Sequence, residues 1–307
     1  MWSLIFIILS LCLVVSGTAL ATRESTFIAR AIGISKYTIG FFVVAVISIL
    51  PELLISFTAA YKGTPSLGLG TLLGSNVADL TLIFALIVLI SGKDIKIELS
   101  TLKKNRFYPF LLSLPIILGL DGRLTRTDGL ALMLAGVFFY ISSFKNEYQT
   151  EPKNGEKIGI ENIISFLFGL ALLLLGSHFT VKYALELAGS FAIPPALIGI
   201  LIIGLGTTMP EFFFSLKSVK KRHDEMAVGD ILGTVLADAT VVIGLIALIS
   251  PFSFAPKLIA VSGMFMITGG GLLFYFFKND KKLSKREAII LIFFWLAFVI
   301  TEVMVNG

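Results

Sequence analysis

Charge is what this 307-residue chain is short of. Asp, Glu, Lys and Arg together make 15% of it, where an ordinary soluble domain carries about a quarter. It has a single cysteine, Cys12, and only two histidines, which excludes an intramolecular disulfide and a Cys-based metal centre. Long polar stretches are missing too. The longest, "KNEYQTEPKNGEK" at 145–157, is a linker in length rather than a domain. What fills the chain instead is apolar: 56% of residues, with a mean hydropathy of +0.93. This is the composition of an integral membrane protein.

The apolar residues come in blocks close to the roughly 20 residues that cross a bilayer as a helix. Ten are read, at about 2–22, 37–61, 67–91, 107–120, 129–144, 160–181, 188–216, 226–250, 258–277 and 288–306. "TALAT" around Ala19 and Ala21 resembles a signal-peptide cleavage site, but no Lys or Arg precedes the first block, which is therefore read as a span. The expected fold class is an all-α polytopic membrane protein of ten transmembrane helices.

Basic residues accumulate in cytoplasmic loops. With an external N-terminus the odd-numbered loops are internal, and they hold 20 of the 25 Lys and Arg. Both termini are expected outside the cell membrane, with the linker 145–157 in the cytoplasm. The pI of 9.2 follows from loops such as "KSVKKRH" and "KNDKKLSKR" facing anionic lipid, so no nucleic-acid partner is inferred.

The two halves of the chain repeat one another. A shift of 159 residues lays "IGFFVVAVISILPELLISF" (39–57) over "IGILIIGLGTTMPEFFFSL" (198–216) without a gap. It pairs Pro51 with Pro210, Glu52 with Glu211, Ser56 with Ser215 and Lys62 with Lys221. In the following helix it pairs Gly70 with Gly229, Gly74 with Gly233, Ala78 with Ala237, Asp79 with Asp238 and Thr81 with Thr240. Such coincidence of rare residues marks an internal duplication. The expected division is 1–144, the linker 145–157, and 158–307, with five helices in each half. Five is odd, so the second copy must be inverted in the membrane. Inverted repeats with interrupted helices, and a substrate site where the copies meet, are the build of secondary transporters. Pro51 and Pro210, with Gly204 and Gly206, are the expected interruptions, because proline removes a helix hydrogen bond and frees carbonyl oxygens.

Polar residues in these spans are spaced by four. Ser48, Glu52 and Ser56 form one stripe and Ser75 with Asp79 another; the second half repeats them as Thr207, Glu211, Ser215 and as Thr234, Asp238. Residues at i and i+4 share a helix face. Each intramembrane carboxylate costs about 2.5–3.5 kcal/mol on insertion scales, so four of them require cations or protons for balance. All the donors are oxygens, which suits hard cations, and a flexible carboxylate-rich cage favours Ca²⁺.

"PELLISF" with "GTLLGSNVAD", and "GTTMPEFFFSL" with "GDILGTVLAD", resemble the two α-repeats of the calcium/cation antiporter superfamily, most similarly those of prokaryotic sodium/calcium exchangers. The specific motifs cover 39–83 and 198–242. The resemblance implies Ca²⁺ exchange for Na⁺ or H⁺ by alternating access, with the first and sixth helices sliding across the other eight. It implies no cofactor and no enzymatic chemistry. It also implies Ca²⁺ ligation by Glu52, Glu211, Ser48 and Thr207, and Na⁺ or H⁺ positions at Asp79, Asp238, Ser75, Thr234 and Thr208. The family's G-[ST]-S-x-P-E reads Ile47-Ser48-Ile49-Leu50-Pro51-Glu52 in the first half but Gly206-Thr207-Thr208-Met209-Pro210-Glu211 in the second. One hydroxyl is therefore missing from the first half, which weakens one Na⁺ position and leaves proton coupling as the competing expectation.

Other polar residues are given structural roles. Ser56 and Ser215 are expected to pack helix on helix, Asp230 to cap its helix or pair with Lys221 or Arg222, His178 to be interfacial, and Gly269 to Gly271 to permit close packing. An aspartyl protease with Asp79 and Asp238 as its dyad would leave Glu52, Glu211 and the duplication unexplained. A passive channel fits duplicated broken helices less well than a transporter does.

Overall fold

The computed structural model describes residues 2–31, 45–97, 108–144 and 158–306. The expected start of the second span, the first residues of the 39–83 motif and the linker 145–157 lie outside the described residues. Among the described residues ten helical rods follow in order. They are α1 (Trp2–Ala31), α2 (Ala45–Ser48, then Leu50–Tyr61), α3 (Pro65–Ala78, continuing to Ser91), α4 (Tyr108–Leu118), α5 (Arg126–Phe144), α6 (Ile160–Phe191), α7 (from Pro195–Ile198 through Met209–Lys220), α8 (Asp224–Ala237, continuing to Ile249), α9 (Pro256–Asp280) and α10 (Lys285–Asn306). Seven are long and apolar enough to cross a membrane, and Val46–Tyr61 and Tyr108–Leu118 are shorter apolar helices.

Most boundaries fall within a few residues of expectation, and the largest difference is at the sixth and seventh spans. Helix α6 runs on through Lys182 and Glu186 to Phe191, and α7 starts only at Pro195. Charged residues at 182 and 186 mark the end of an apolar block but do not break a helix; Pro194 and Pro195 do. In the same way α1 continues past the apolar block to Ala31.

The backbone keeps the 159-residue shift. The interruption after Ala45–Ser48 falls at Ile49 and that after Gly204–Thr207 at Thr208, where φ and ψ are −75° and −10° in one and −76° and −4° in the other. Wide π-helical turns occupy Asp79–Ile83 and Asp238–Val242. Each opens with the aspartate and contains a threonine that bonds the carbonyl four residues back, Thr81 to Val77 and Thr240 to Leu236.

Two short ladders join the halves. Strand β1 (Ile95–Lys96) pairs antiparallel with β4 (Lys282–Leu283), and β2 (Arg123–Leu124) with β3 (Phe252–Ser253). Lys282 is tied to Asp94 at 2.8 Å, and that bond holds the ammonium above its usual pKa range. The Lys93 ammonium donates to the carbonyl of Lys220, and the Lys96 amide to Asp224. The third, seventh and ninth loops thus meet at one end of the bundle, and the fourth and eighth at the other, as an alternating traverse requires.

Helices α3 and α8 are the most buried of the long rods. Glycine lets α3 approach α7 backbone to backbone: a Cβ on Gly70 would stand 2.2 Å from the Ala196 carbonyl, and one on Gly74 2.6 Å from Ile200 Cα. Small residues at such crossings substitute for a hydrophobic driving force that lipid does not supply. Helices α1 and α6 make a similar contact through Gly17, Gly169 and Gly176.

Candidate cation site

Four spans, α2, α3, α7 and α8, bring the expected ligands to the middle of the bundle. Glu52, Glu211 and Asp238 are fully buried and Asp79 is 1% exposed. Ser48, Ser75, Thr207, Thr208 and Thr234 are buried with them. Glu52 and Asp79 lie within electrostatic reach of each other and, across the repeat boundary, of both Glu211 and Asp238.

The hydroxyls are mostly turned to their own backbones. Thr207 donates to the Gly204 carbonyl at 3.2 Å, Thr208 to Leu205 at 3.0 Å and Ser75 to Leu72 at 3.1 Å. A hydroxyl that gives its hydrogen to a carbonyl keeps its lone pairs for another partner, and Thr207 sits beside Glu52 of the other half. The carboxylates have no such provision. Among the described residues, both oxygens of Glu52, Asp79, Glu211 and Asp238 have no hydrogen-bond partner, and neither has the Thr234 hydroxyl. Buried polar groups are normally paired, because each unpaired one costs about 1–3 kcal/mol and more when charged. These eight carboxylate oxygens are acceptors whose pairing cations or protons would supply.

Among the described residues no three Asp, Glu, His or Cys side chains group as a metal set by themselves. An ion held by one or two of these carboxylates would complete its shell from hydroxyls and from backbone carbonyls. Pro51 and Pro210 have no N–H to give, which leaves the carbonyls of Ile47 and Gly206 without their helical donors.

Gly204 and Gly206 do not themselves break α7. Both have helical geometry within Gly204–Thr207, and the interruption comes two residues later, at Thr208. Their use is proximity: a Cβ on Gly204 would stand 2.8 Å from the Ser75 nitrogen, and one on Gly206 2.5 Å from the Leu11 side chain.

Asp230 departs most from expectation. It neither caps α8 nor pairs with Lys221 or Arg222; it is fully buried, and accepts Ser48 at 3.5 Å and Ser215 at 3.4 Å. A sequence position near a loop was misleading, because α8 enters the bundle at once and its i, i+4, i+8 face carries Asp230, Thr234 and Asp238 together. Ser56 and Ser215 stitch their hairpins as expected, donating to the carbonyls of Gly68 and Ala227 at 3.2 and 3.3 Å. Gly269 packs against Thr81, whereas Gly271 has open space.

Sequence reading missed Tyr108 and Tyr140. Their hydroxyls donate to the carbonyls of Leu232 and Gly233 at 3.0 and 2.6 Å, which fixes α8 beside Thr234. It also missed Asn76, whose amide donates to the Met266 sulfur while its oxygen stays unpaired. Polar atoms inside apolar spans were the available signal.

Comparison with known proteins agrees with this layout. "Inner membrane protein YrbG" of Escherichia coli K12 is 29% identical over 266 residues, covering 81% of each chain. The sodium-calcium exchanger NCX_Mj superposes with a TM-score of 0.71 at 24% identity over 99% of this chain and 98% of that one. The H⁺/Ca²⁺ exchanger CAX superposes at 0.80 with 17% identity, over 99% and 82%; at these identities the structures show a shared fold. The sequence model of the sodium/calcium exchanger protein family matches residues 2–145 and again 161–304, each end displaced by the same 159 residues as the motifs. The chain belongs to the sodium/calcium exchanger protein family, a family of transporters and not of enzymes.

Proposed function

We propose that this protein exchanges Ca²⁺ for Na⁺ across the cell membrane by alternating access, as a single ten-helix unit. Its halves are 1–144 and 158–307, its linker 145–157 is cytoplasmic and both termini are external, a topology supported by the distribution of basic residues. The observation that carries the reading is the set of eight buried carboxylate oxygens with no hydrogen-bond partner among the described residues.

In this reading Glu52 and Glu211 clamp Ca²⁺ with Ser48 and Thr207, while Asp79, Asp238, Ser75, Thr234 and Thr208 serve the counter-ions. Cations and carboxylates neutralise one another, and a neutral site crosses between faces at far lower cost than a charged one. Ca²⁺ and its counter-ions bind adjacent oxygens of one electrostatically coupled carboxylate cluster, so a cation at one set of positions disfavours a cation at the other, and exchange follows. The π-turns at Asp79 and Asp238 and the interruptions at Ile49 and Thr208 are where backbone carbonyls can serve as further ligands.

Proton coupling is the second reading. It is favoured by Ile49, which stands where Thr208 places a hydroxyl in the other half, and by aspartate at both 79 and 238. The test is Ca²⁺ uptake into proteoliposomes preloaded with Na⁺, or made acid inside without Na⁺. Uptake driven by Na⁺ supports the first reading, and uptake driven only by the proton gradient replaces it with the second.

A further inference from the structure

The two halves differ at one level of the site. In the α7–α8 hairpin Ser215 meets Ala227 and Asp230. The antiparallel register then sets Glu211, one turn earlier on α7, level with Thr234, one turn later on α8. In the α2–α3 hairpin Ser56 makes the equivalent bond to Gly68, but Thr71 stands where Asp230 stands in the second half. Thr71 is neutral and satisfied, donating to Leu67 on its own helix at 2.9 Å.

Asp230 has no such settlement. It is fully buried, and among the described residues it has no ion pair. Its two contacts, at 3.5 and 3.4 Å, are long beside the roughly 2.5–3.0 Å of ordinary O–H···O bonds. Ser215 is moreover shared with the Ala227 carbonyl at 3.3 Å. These separations match another arrangement. Oxygens at right angles around a hard cation, each about 2.3–2.6 Å from it, stand about 3.3–3.7 Å apart. The neighbouring Thr234 hydroxyl, also fully buried, has no hydrogen-bond partner among the described residues.

We propose that Asp230, Ser48, Ser215 and the Ala227 carbonyl form a further cation position, present only in the second half, which takes a monovalent cation such as Na⁺. One carboxylate supplies one charge, which a monovalent ion balances. Ser48 is common to this position and to the Glu52 clamp, so a cation held by Asp230 withdraws an oxygen from Ca²⁺. The inference rests on the exchange reading for this competition but not for the binding itself.

The test uses the purified full chain, with equilibrium ²²Na⁺ binding and Na⁺ displacement of ⁴⁵Ca²⁺. The variants are Asp230→Asn and Asp230→Thr, the second importing the residue that the first half carries. Both variants are expected to bind one Na⁺ fewer than the wild type and to need about tenfold more Na⁺ to displace ⁴⁵Ca²⁺. Unchanged ²²Na⁺ stoichiometry and displacement in a folded variant, or no saturable ²²Na⁺ binding by the wild type, overturns the proposal. Loss of ⁴⁵Ca²⁺ binding by the wild type with ²²Na⁺ binding intact would instead remove the exchange reading and leave this position standing.

Discussion

Glu52 and Glu211 stand at the same place in two copies of one helix. Each comes three residues after the single interrupted position, Ile49 or Thr208, directly behind a proline, and each is fully buried with both oxygens unpaired among the described residues. A glutamate present twice in that condition costs about 2.5–3.5 kcal/mol per charge in the membrane, which an ion shared by the pair would offset under the proposed exchange.

Replacing either glutamate should therefore stabilise the ion-free protein while removing its function. Glu52→Gln and Glu211→Gln each exchange a buried unpaired acceptor for a neutral amide. Each is expected to lower Ca²⁺ exchange at least a hundredfold, with an unchanged or higher melting temperature in chelator. Melting and ⁴⁵Ca²⁺ uptake on the same preparations check this, and a lower melting temperature with retained uptake would contradict it.

Ca²⁺ itself should stabilise the wild type and not these variants. A ligand at a hundred times its dissociation constant adds about 2.7 kcal/mol. Melting with increasing Ca²⁺ is expected to rise in the wild type and to stay flat in Glu211→Gln.

Ile49→Thr restores to the first half the hydroxyl that Thr208 supplies in the second. It is expected to lower the Na⁺ concentration for half-maximal exchange several-fold, read from uptake against internal Na⁺. No change would mean that the Ile49 position does not face an ion.

Close approach of α3 to α7 should tolerate no added carbon. Gly70→Ala places a Cβ 2.2 Å from the Ala196 carbonyl, which must move, at about 1–3 kcal/mol for overpacking. Gly63→Ala, with open space but a positive φ of 75°, tests strain without crowding. The first is expected to reduce exchange as well as stability and the second to reduce stability alone.

Much of this molecule is legible in its sequence. The repeat, the stripes of Glu52 and Glu211, and the aspartates at 79 and 238 could be read because rare residues in apolar spans recur at one spacing. The end of α6 was less legible, since hydropathy follows the membrane and a helix follows its hydrogen bonds to Pro194. Gly204 and Gly206 suggested a break that the backbone places at Thr208, because glycine signals close approach as readily as a bend. Asp230 was misread for a simpler reason: proximity to a loop in sequence says nothing of depth once a helix enters the bundle at its first turn. Tyr108 and Tyr140 act on carbonyls of α8, and no spacing within their own helices announces that.

The most direct measurement is ⁴⁵Ca²⁺ uptake into proteoliposomes loaded with Na⁺ at matched pH, for the wild type, Glu52→Gln and Glu211→Gln. Exchange through the paired carboxylates requires uptake by the wild type that collapses with the Na⁺ gradient and is absent from both variants. Uptake that persists in both variants, or that occurs in the wild type only with an acid interior and no Na⁺, would contradict Na⁺-coupled exchange at this site.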